Sequence, residues 1–213
     1  MSIIITVMTK ELVIVASDSK MTQQNISKDV PKIYQYSPTL AMYDIGNAGL
    51  TFGYFEMLNN IKAEIGDKFT YHDAIDSIHY WKQYIESTPQ YKGIFGAIGV
   101  CGITDHVPKS KTILIDSADY IKFEHDLSAN ENLSFYILPP ADLSNEMCNN
   151  QFKACFRYVC KPLNLQILID LCSIVIQNLS HISDGINDHV QYWAYDLRSK
   201  TVNSQLIEAL PSK

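Results

Sequence analysis

The chain has 213 residues, of which 46% are hydrophobic and 19% charged, and its formal net charge is −6. This length suits one domain spanning residues 1–213, able to bury roughly 70% of the unfolded chain's surface. The ordinary apolar share excludes a disordered chain, and the acidic balance without any Lys/Arg block argues against a nucleic-acid partner.

The elements follow from hydrophobic patterning. Ile3 to Val7 and Leu12 to Ala16 are contiguous apolar runs separated by Lys10-Glu11, which predicts a hairpin covered on both faces. Ser17, Asp18, Ser19 and Lys20 end its second strand with polar side chains. Lys32 to Tyr36 and Thr39 to Ile45 predict a second strand pair, turned at Ser37-Pro38. Gly46-Asn47-Ala48-Gly49 breaks the chain before a helix whose apolar residues Phe52, Phe55, Leu58, Ile61 and Ile65 recur at helical steps until Gly66. A second helix is expected from Tyr71 to Ser87. Thr70 and Asp73 form its capping box, and Ala74, Ile78, Trp81 and Ile85 form its stripe.

Strands are then expected at Ile94 to Ile103, Thr112 to Asp116, Tyr120 to Glu124 and Leu133 to Ile137. Helices follow at Ala141 to Tyr158 and Leu163 to Leu179, parted by Lys161-Pro162. His189 to Asp196 and Thr201 to Leu206 close the chain as a hairpin. The order is strands, two helices, strands, two helices, strands, an α/β (α+β) pattern in which each helix pair needs a sheet face.

The five cysteines, Cys101, Cys148, Cys155, Cys160 and Cys172, are odd in number and contain no C-x-x-C pair. Reduced thiols in a cytoplasmic protein are expected, with Cys155 and Cys172 as buried filler. The start lacks the positive n-region and cleavage site of a secretory signal. The most apolar stretch, Leu163 to Leu179, is interrupted by Asn164, Gln166, Asp170 and Gln177, so no membrane partner is expected. The six histidines show no paired metal-ligand spacing; neither a metal nor a cofactor is expected.

Three features align. Ser2 follows the initiator Met1, and a residue this small permits removal of the methionine. Asp18 ends the second strand in Val-Ala-Ser-Asp-Ser, and Lys32 begins the third in Val-Pro-Lys-Ile-Tyr. After the next strand comes Ile-Gly-Asn-Ala-Gly, with Gly46. This pattern resembles the β-subunits of proteasomes and, more closely, the bacterial heat-shock-locus peptidase that works with an ATPase ring, members of the N-terminal-nucleophile hydrolases. In that family a mature N-terminal Thr or Ser starts the first strand, an Asp and a Lys follow about sixteen and about thirty residues on, and a Gly-rich turn precedes the first helix. Ser2, Asp18, Lys32 and Gly46 match that spacing. The resemblance covers roughly the first 66 residues closely and the remainder by element order.

The resemblance implies a four-layer αββα sandwich of two mainly antiparallel sheets with a helix pair on each outer face. It implies cleavage of peptide or amide bonds by Ser2 within a homo-oligomeric ring, with an ATPase unfoldase as partner. The chemistry is coherent. A serine hydroxyl needs a base, and an α-amine with an ordinary pKa of about 7.7–8.0 is partly neutral near pH 7 and can take its own hydroxyl's proton. Lys32 would favour the neutral amine by like-charge repulsion, Asp18 would hold Lys32, and the Gly46 N–H would stabilise an oxyanion. Asp18 and Lys32 read without the resemblance are a solvated surface ion pair, and Gly46 with Gly49 a turn.

Two departures bear on activity. Where the family carries Gly-Ser-Gly before the third helix, this chain reads Leu138-Pro139-Pro140-Ala141. In Ser180-His181-Ile182-Ser183-Asp184-Gly185, Ser183 matches a family serine while Ser180 stands where Asp is expected. A non-catalytic assembly protein of the same fold, and an amidase acting on small molecules, are the alternatives.

Overall fold

The computed structural model describes residues 2–23, 26–46, 48–91, 95–116, 124–128, 133–159 and 162–206. Strands β1 (Ile4–Met8) and β2 (Leu12–Asp18) form the opening hairpin. The strands β3 (Lys20–Gln23) and β4 (Ile26–Asp29) pair as a small ribbon. Then come β5 (Ile33–Ser37), β6 (Leu40–Gly46), α1 (Ala48–Ile65) and α2 (Tyr71–Ser87). The middle holds β7 (Phe95–Thr104), β8 (Val107–Asp116), β9 (Glu124–Ser128) and β10 (Ser134–Leu138). The chain continues through α3 (Asn145–Phe156), α4 (Leu165–Ser180), β11 (Val190–Asp196) and β12 (Thr201–Gln205).

The strands assemble into two five-stranded sheets, ordered β10-β1-β2-β11-β12 and β5-β6-β7-β8-β9, with antiparallel pairing throughout. Strand alternation then sends each apolar run to two places at once. Ile5, Val7 and Ile14 pack with Phe152 of α3 and with Leu168, Val175 and Leu179 of α4. The intervening Ile4, Met8, Val13 and Val15 pack with Ile33, Tyr43, Ala97 and Cys101 of the other sheet. A third core joins Met42, Ile98, Val100 and Ile113 to Tyr54 and Leu58 of α1 and Ala74 and Ile78 of α2. This is why the opening hairpin carries no polar alternation: both its faces are covered, and every residue of β1 and β2 is buried.

The capping box expected at Thr70 and Asp73 is present: Thr70 N–H donates to Asp73 Oδ2 at 2.8 Å, and Asp73 N–H donates to Thr70 Oγ1 at 3.3 Å. Helix α3 begins at Asn145, four residues later than patterning predicts, because Ser144 caps it by accepting Met147 N–H at 3.1 Å. Strand β8 starts at Val107, not at Thr112. Its first half, Val-Pro-Lys-Ser-Lys, has no apolar run and pairs through its backbone with the end of β7. The ribbon of β3 and β4 is similarly polar and has no counterpart in the sequence reading. The predicted strand over Tyr120 to Glu124 falls mostly outside the described residues, as do Ile94 and Lys161; β9 occupies Glu124–Ser128.

Cys172 is buried as expected, whereas Cys155 is only half-buried and accepts from Gln151 Nε2 and Asn178 Nδ2, both at 3.7 Å. No helix among the described residues is long and apolar enough to cross a membrane.

Gly99 of β7 lies beneath the Tyr43 ring, whose hydroxyl contacts Ser110 and Thr112 inside the inter-sheet core. A Cβ at Gly99 would stand 2.2 Å from the ring's Cζ, and the fully buried ring has no room to move away. Gly99→Ala is therefore expected to destabilise the protein by at least the ~1–3 kcal/mol typical of overpacking, measured as a lowered urea midpoint at unchanged slope.

Candidate active site

The antiparallel register of β1 and β2 opposes Ile4 to Ser17, so the residues just before β1 meet the end of β2. Ser2 and Asp18 are thereby neighbours. The carboxylate of Asp18 accepts the Ile3 N–H on Oδ1 and the Lys20 N–H on Oδ2, each at 3.0 Å. It is fixed from both sides of the strand end. Lys32, one residue ahead of β5, reaches in from the second sheet. Its backbone carbonyl accepts the Asp44 N–H of β6 at 3.0 Å, and its own N–H donates to Gln191 Oε1 at 3.1 Å.

Lys32 Nζ makes three contacts that match its three donors: Asp18 Oδ1 at 3.2 Å, the Lys20 carbonyl at 2.6 Å and Ser2 Oγ. Ser2 Oγ donates in turn to the Lys20 carbonyl at 3.2 Å. Ser2 and Lys32 are each 5% exposed and Asp18 is fully buried, so the surface-ion-pair reading of Asp18 and Lys32 is incorrect. Burial pushes the Lys32 ammonium below the ordinary lysine pKa, against the opposing pull of Asp18 and the weaker pulls of Asp44 and Asp29.

Gly46 is the last residue of β6, two beyond Asp44, and its φ is +131°. It opposes Gly96, and a Cβ there would fall 2.5 Å from both Gly96 Cα and the Phe95 carbonyl. Steric demand alone accounts for glycine at this position. Ser2, Asp18 and Lys32 are in mutual contact; Gly46 is on the same strand as Lys32's backbone partner and touches none of the three by hydrogen bond.

Several supporting groups escaped the sequence reading. Gln191 Nε2 donates to the carbonyls of Asp18 at 3.2 Å and Val30 at 3.0 Å, so one buried amide pins both segments that deliver Asp18 and Lys32. Asp44, 1% exposed, places a second carboxylate near Lys32. Ser17 Oγ contacts the carbonyls of Ile3 and Asp18, both at 2.8 Å. Asp29 meets Ser19 Oγ and Asn187 Nδ2 on Oδ1 and His189 Nδ1 on Oδ2 at 2.8 Å, fastening the ribbon to the segment before β11. The one available signal was a polar residue inside an apolar strand, as with Asp44 in Leu40–Gly46 and Gln191 in Val190–Asp196.

No protein-family model matches the chain, and no curated protein matches it in sequence. Among solved structures, the fold is similar to that of an Anbu Gly-1 mutant from Hyphomicrobium sp. strain MC1. The TM-score is 0.68 over 98% of this chain and 88% of that one, at 10% identity. Anbu is a proteasome-like N-terminal-nucleophile hydrolase. The likeness is one of fold. The described residues form a mixed α/β architecture of antiparallel sheets and four helices.

Two predictions follow from this geometry. Lys32→Met strands the Asp18 carboxylate in the interior and should cost about 3–5 kcal/mol, while adding Asp18→Asn should recover part of that loss; denaturant unfolding of the single and double variants checks it. The second concerns His189, whose pKa is raised by its hydrogen bond to Asp29 and by that residue's charge, while Asp29 is held below its ordinary value by Ser19 first, against burial, and by His189 and Asn187. A raised histidine pKa stabilises the fold below the unfolded value of 6.5, and that contribution is lost as pH rises through the folded value. The melting temperature of His189→Ala should therefore trail the wild type at about pH 5 and match it at about pH 9.

Proposed function

We propose that the chain is an N-terminal-nucleophile hydrolase of the proteasome β type that cleaves peptide or amide bonds with Ser2 once Met1 is removed. The observation that carries this reading is the buried contact of Ser2 Oγ with Lys32 Nζ, itself bonded to Asp18. The hydroxyl would be the nucleophile and the Ser2 α-amine its base. Lys32, through its positive charge, would keep that amine neutral, and Asp18 would fix Lys32. The Gly46 N–H, at the strand end ahead of α1, would stabilise the oxyanion. The three cores and the structural likeness to Anbu support the finer architecture in this proposal, one αββα domain of four layers over residues 1–213.

The same reading extends to assembly: a homo-oligomeric ring with inward-facing sites, an ATPase unfoldase as partner and a cytoplasmic setting. A second reading, a non-catalytic assembly protein, is favoured by Ser180, whose hydroxyl is spent on the Gln177 carbonyl of its own helix at 2.7 Å.

Ser2→Ala is expected to lose hydrolysis of fluorogenic peptide amides by at least ~1,000-fold while staying folded with about 1–3 kcal/mol less stability, since Lys32 Nζ loses one acceptor, and Ser2→Thr to retain activity. Full activity in Ser2→Ala overturns the proposal. Light scattering should return a multiple of the 24.2 kDa chain mass; a monomer argues against a ring.

A further inference from the structure

The ribbon of β3 and β4 stands apart from the other strands. It pairs with neither five-stranded sheet, and its described side chains join none of the three apolar cores. Ser27, Lys28 and Asp29 are exposed. The residues at its two ends, Ser19 and Val30, are buried and joined by the Val30 N–H, which donates to the Ser19 carbonyl at 2.9 Å. A lone two-stranded ribbon has little stability of its own, so its position depends on what fastens it.

Polar contacts fasten it to the segment between α4 and β11. Lys20 Nζ donates to the Asp184 carbonyl at 2.6 Å, and the Ser19 N–H donates to Asn187 Oδ1 at 3.1 Å. Asp29, the last residue of β4, accepts Asn187 Nδ2 on Oδ1 and faces His189 Nδ1 with Oδ2, both at 2.8 Å. Of these contacts, the last is the one that titrates near neutral pH. The titratable groups around the His189 ring among the described residues are Asp29 from the ribbon, Asp188 with Oδ1 3.9 Å from Nε2, and Tyr192 of β11. Helix α4 presents Ser173 and Gln177 there and β12 presents Gln205, all of them uncharged. The hydrogen bond to Asp29 and the charges of Asp29 and Asp188 raise the His189 pKa. The latch is therefore complete below the unfolded value of 6.5 and weakens as pH rises through the raised folded value.

The ribbon also carries a contact of the candidate site. The Lys20 carbonyl accepts Lys32 Nζ at 2.6 Å and Ser2 Oγ at 3.2 Å. One residue thus presents its carbonyl to Ser2 and Lys32 and anchors its side chain on the outer segment.

We propose that the ribbon is a strap latched by protonated His189 on Asp29, and that its loosening with rising pH draws the Lys20 carbonyl away from Lys32 and slows reaction at Ser2. The effect on Ser2 rests on the reading of that residue as an N-terminal nucleophile; the latch itself does not. A lysine that loses one of its acceptors holds its charge less firmly, and that charge is what would keep the α-amine neutral. The side chains of His189 and Asp29 are 67% and 41% exposed, so the latch modulates the site by a small factor and is no on–off switch.

The test uses the full chain with Ser2 as its first residue, released from an N-terminal fusion. His189→Gln bonds without titrating, and Asp29→Asn is the second variant. The first readout is amide hydrogen exchange of the ribbon, expressed as protection relative to β1 and β2. In the wild type it should fall about two- to fivefold between about pH 5.5 and about pH 8.5, and in both variants it should stay level. The second readout is the rate of adduct formation with a peptide epoxyketone in the wild type divided by that in His189→Gln, a ratio in which titration of the amine itself cancels. The ratio should be about two to five at about pH 5.5 and about one at about pH 8.5. Wild-type ribbon protection that follows His189→Gln at both pH values overturns the latch. A pH-dependent ribbon with an adduct ratio of one throughout overturns its link to Ser2. A pH-dependent ribbon in a protein whose Ser2 forms no adduct supports the strap and overturns the nucleophile reading instead, so the failures are separable.

Discussion

A lysine ammonium removed from water is the constraint around which this molecule is arranged. Burial of such a group is unfavourable unless each N–H finds an acceptor and the charge finds a partner. Lys32 meets both needs: its three donors end on Asp18, the Lys20 carbonyl and Ser2 Oγ. Every element that supplies those acceptors has to arrive at one point. The β1–β2 register brings Ser2 to Asp18, the two flanking N–H groups aim the carboxylate, and Gln191 holds β11 against the segments carrying Asp18 and Lys32. The two sheets are therefore joined by apolar side chains in the inter-sheet core and by one charged, hydrogen-bonded knot at its edge.

The same knot explains a tension in the site. Three acceptors favour the charged lysine, yet burial lowers its pKa overall. A positive charge held in this way is a local source of repulsion for any second ammonium. The α-amine of a chain beginning at Ser2 would be that second ammonium, and its neutral form is the one with a lone pair to offer. Asp44 and Asp29 temper the effect on Lys32 from further away. Under the proposed reading, burial, which usually only limits charge, would become the means of making a base.

Much of the fold was legible in the sequence because long apolar runs and clear caps leave few choices. Ile3 to Val7 and Leu12 to Ala16 could only be strands covered on both faces, and Thr70 with Asp73 marked a helix start to the residue. The elements that escaped were built from backbone pairing. The ribbon of β3 and β4 and the first half of β8 carry polar side chains, and nothing in their pattern has period two apolarity. Of the candidate site, Ser2, Asp18 and Lys32, which meet in the structure, were visible as spacing together with Gly46. Their supports were not, because Gln191, Asn187 and Asp29 act from positions more than 150 residues apart or through a hydrogen bond that no local pattern encodes.

The most direct test of Ser2 as an activated N-terminal nucleophile is the intact mass of the untagged protein before and after exposure to a peptide epoxyketone, which needs a free α-amine and the adjacent hydroxyl together. A chain lacking Met1 that gains a single adduct, mapped to Ser2 and absent from Ser2→Ala, is the predicted result. A chain that keeps Met1 and gains nothing would contradict it and would leave the buried Ser2–Lys32–Asp18 knot as a structural fastening between two sheets.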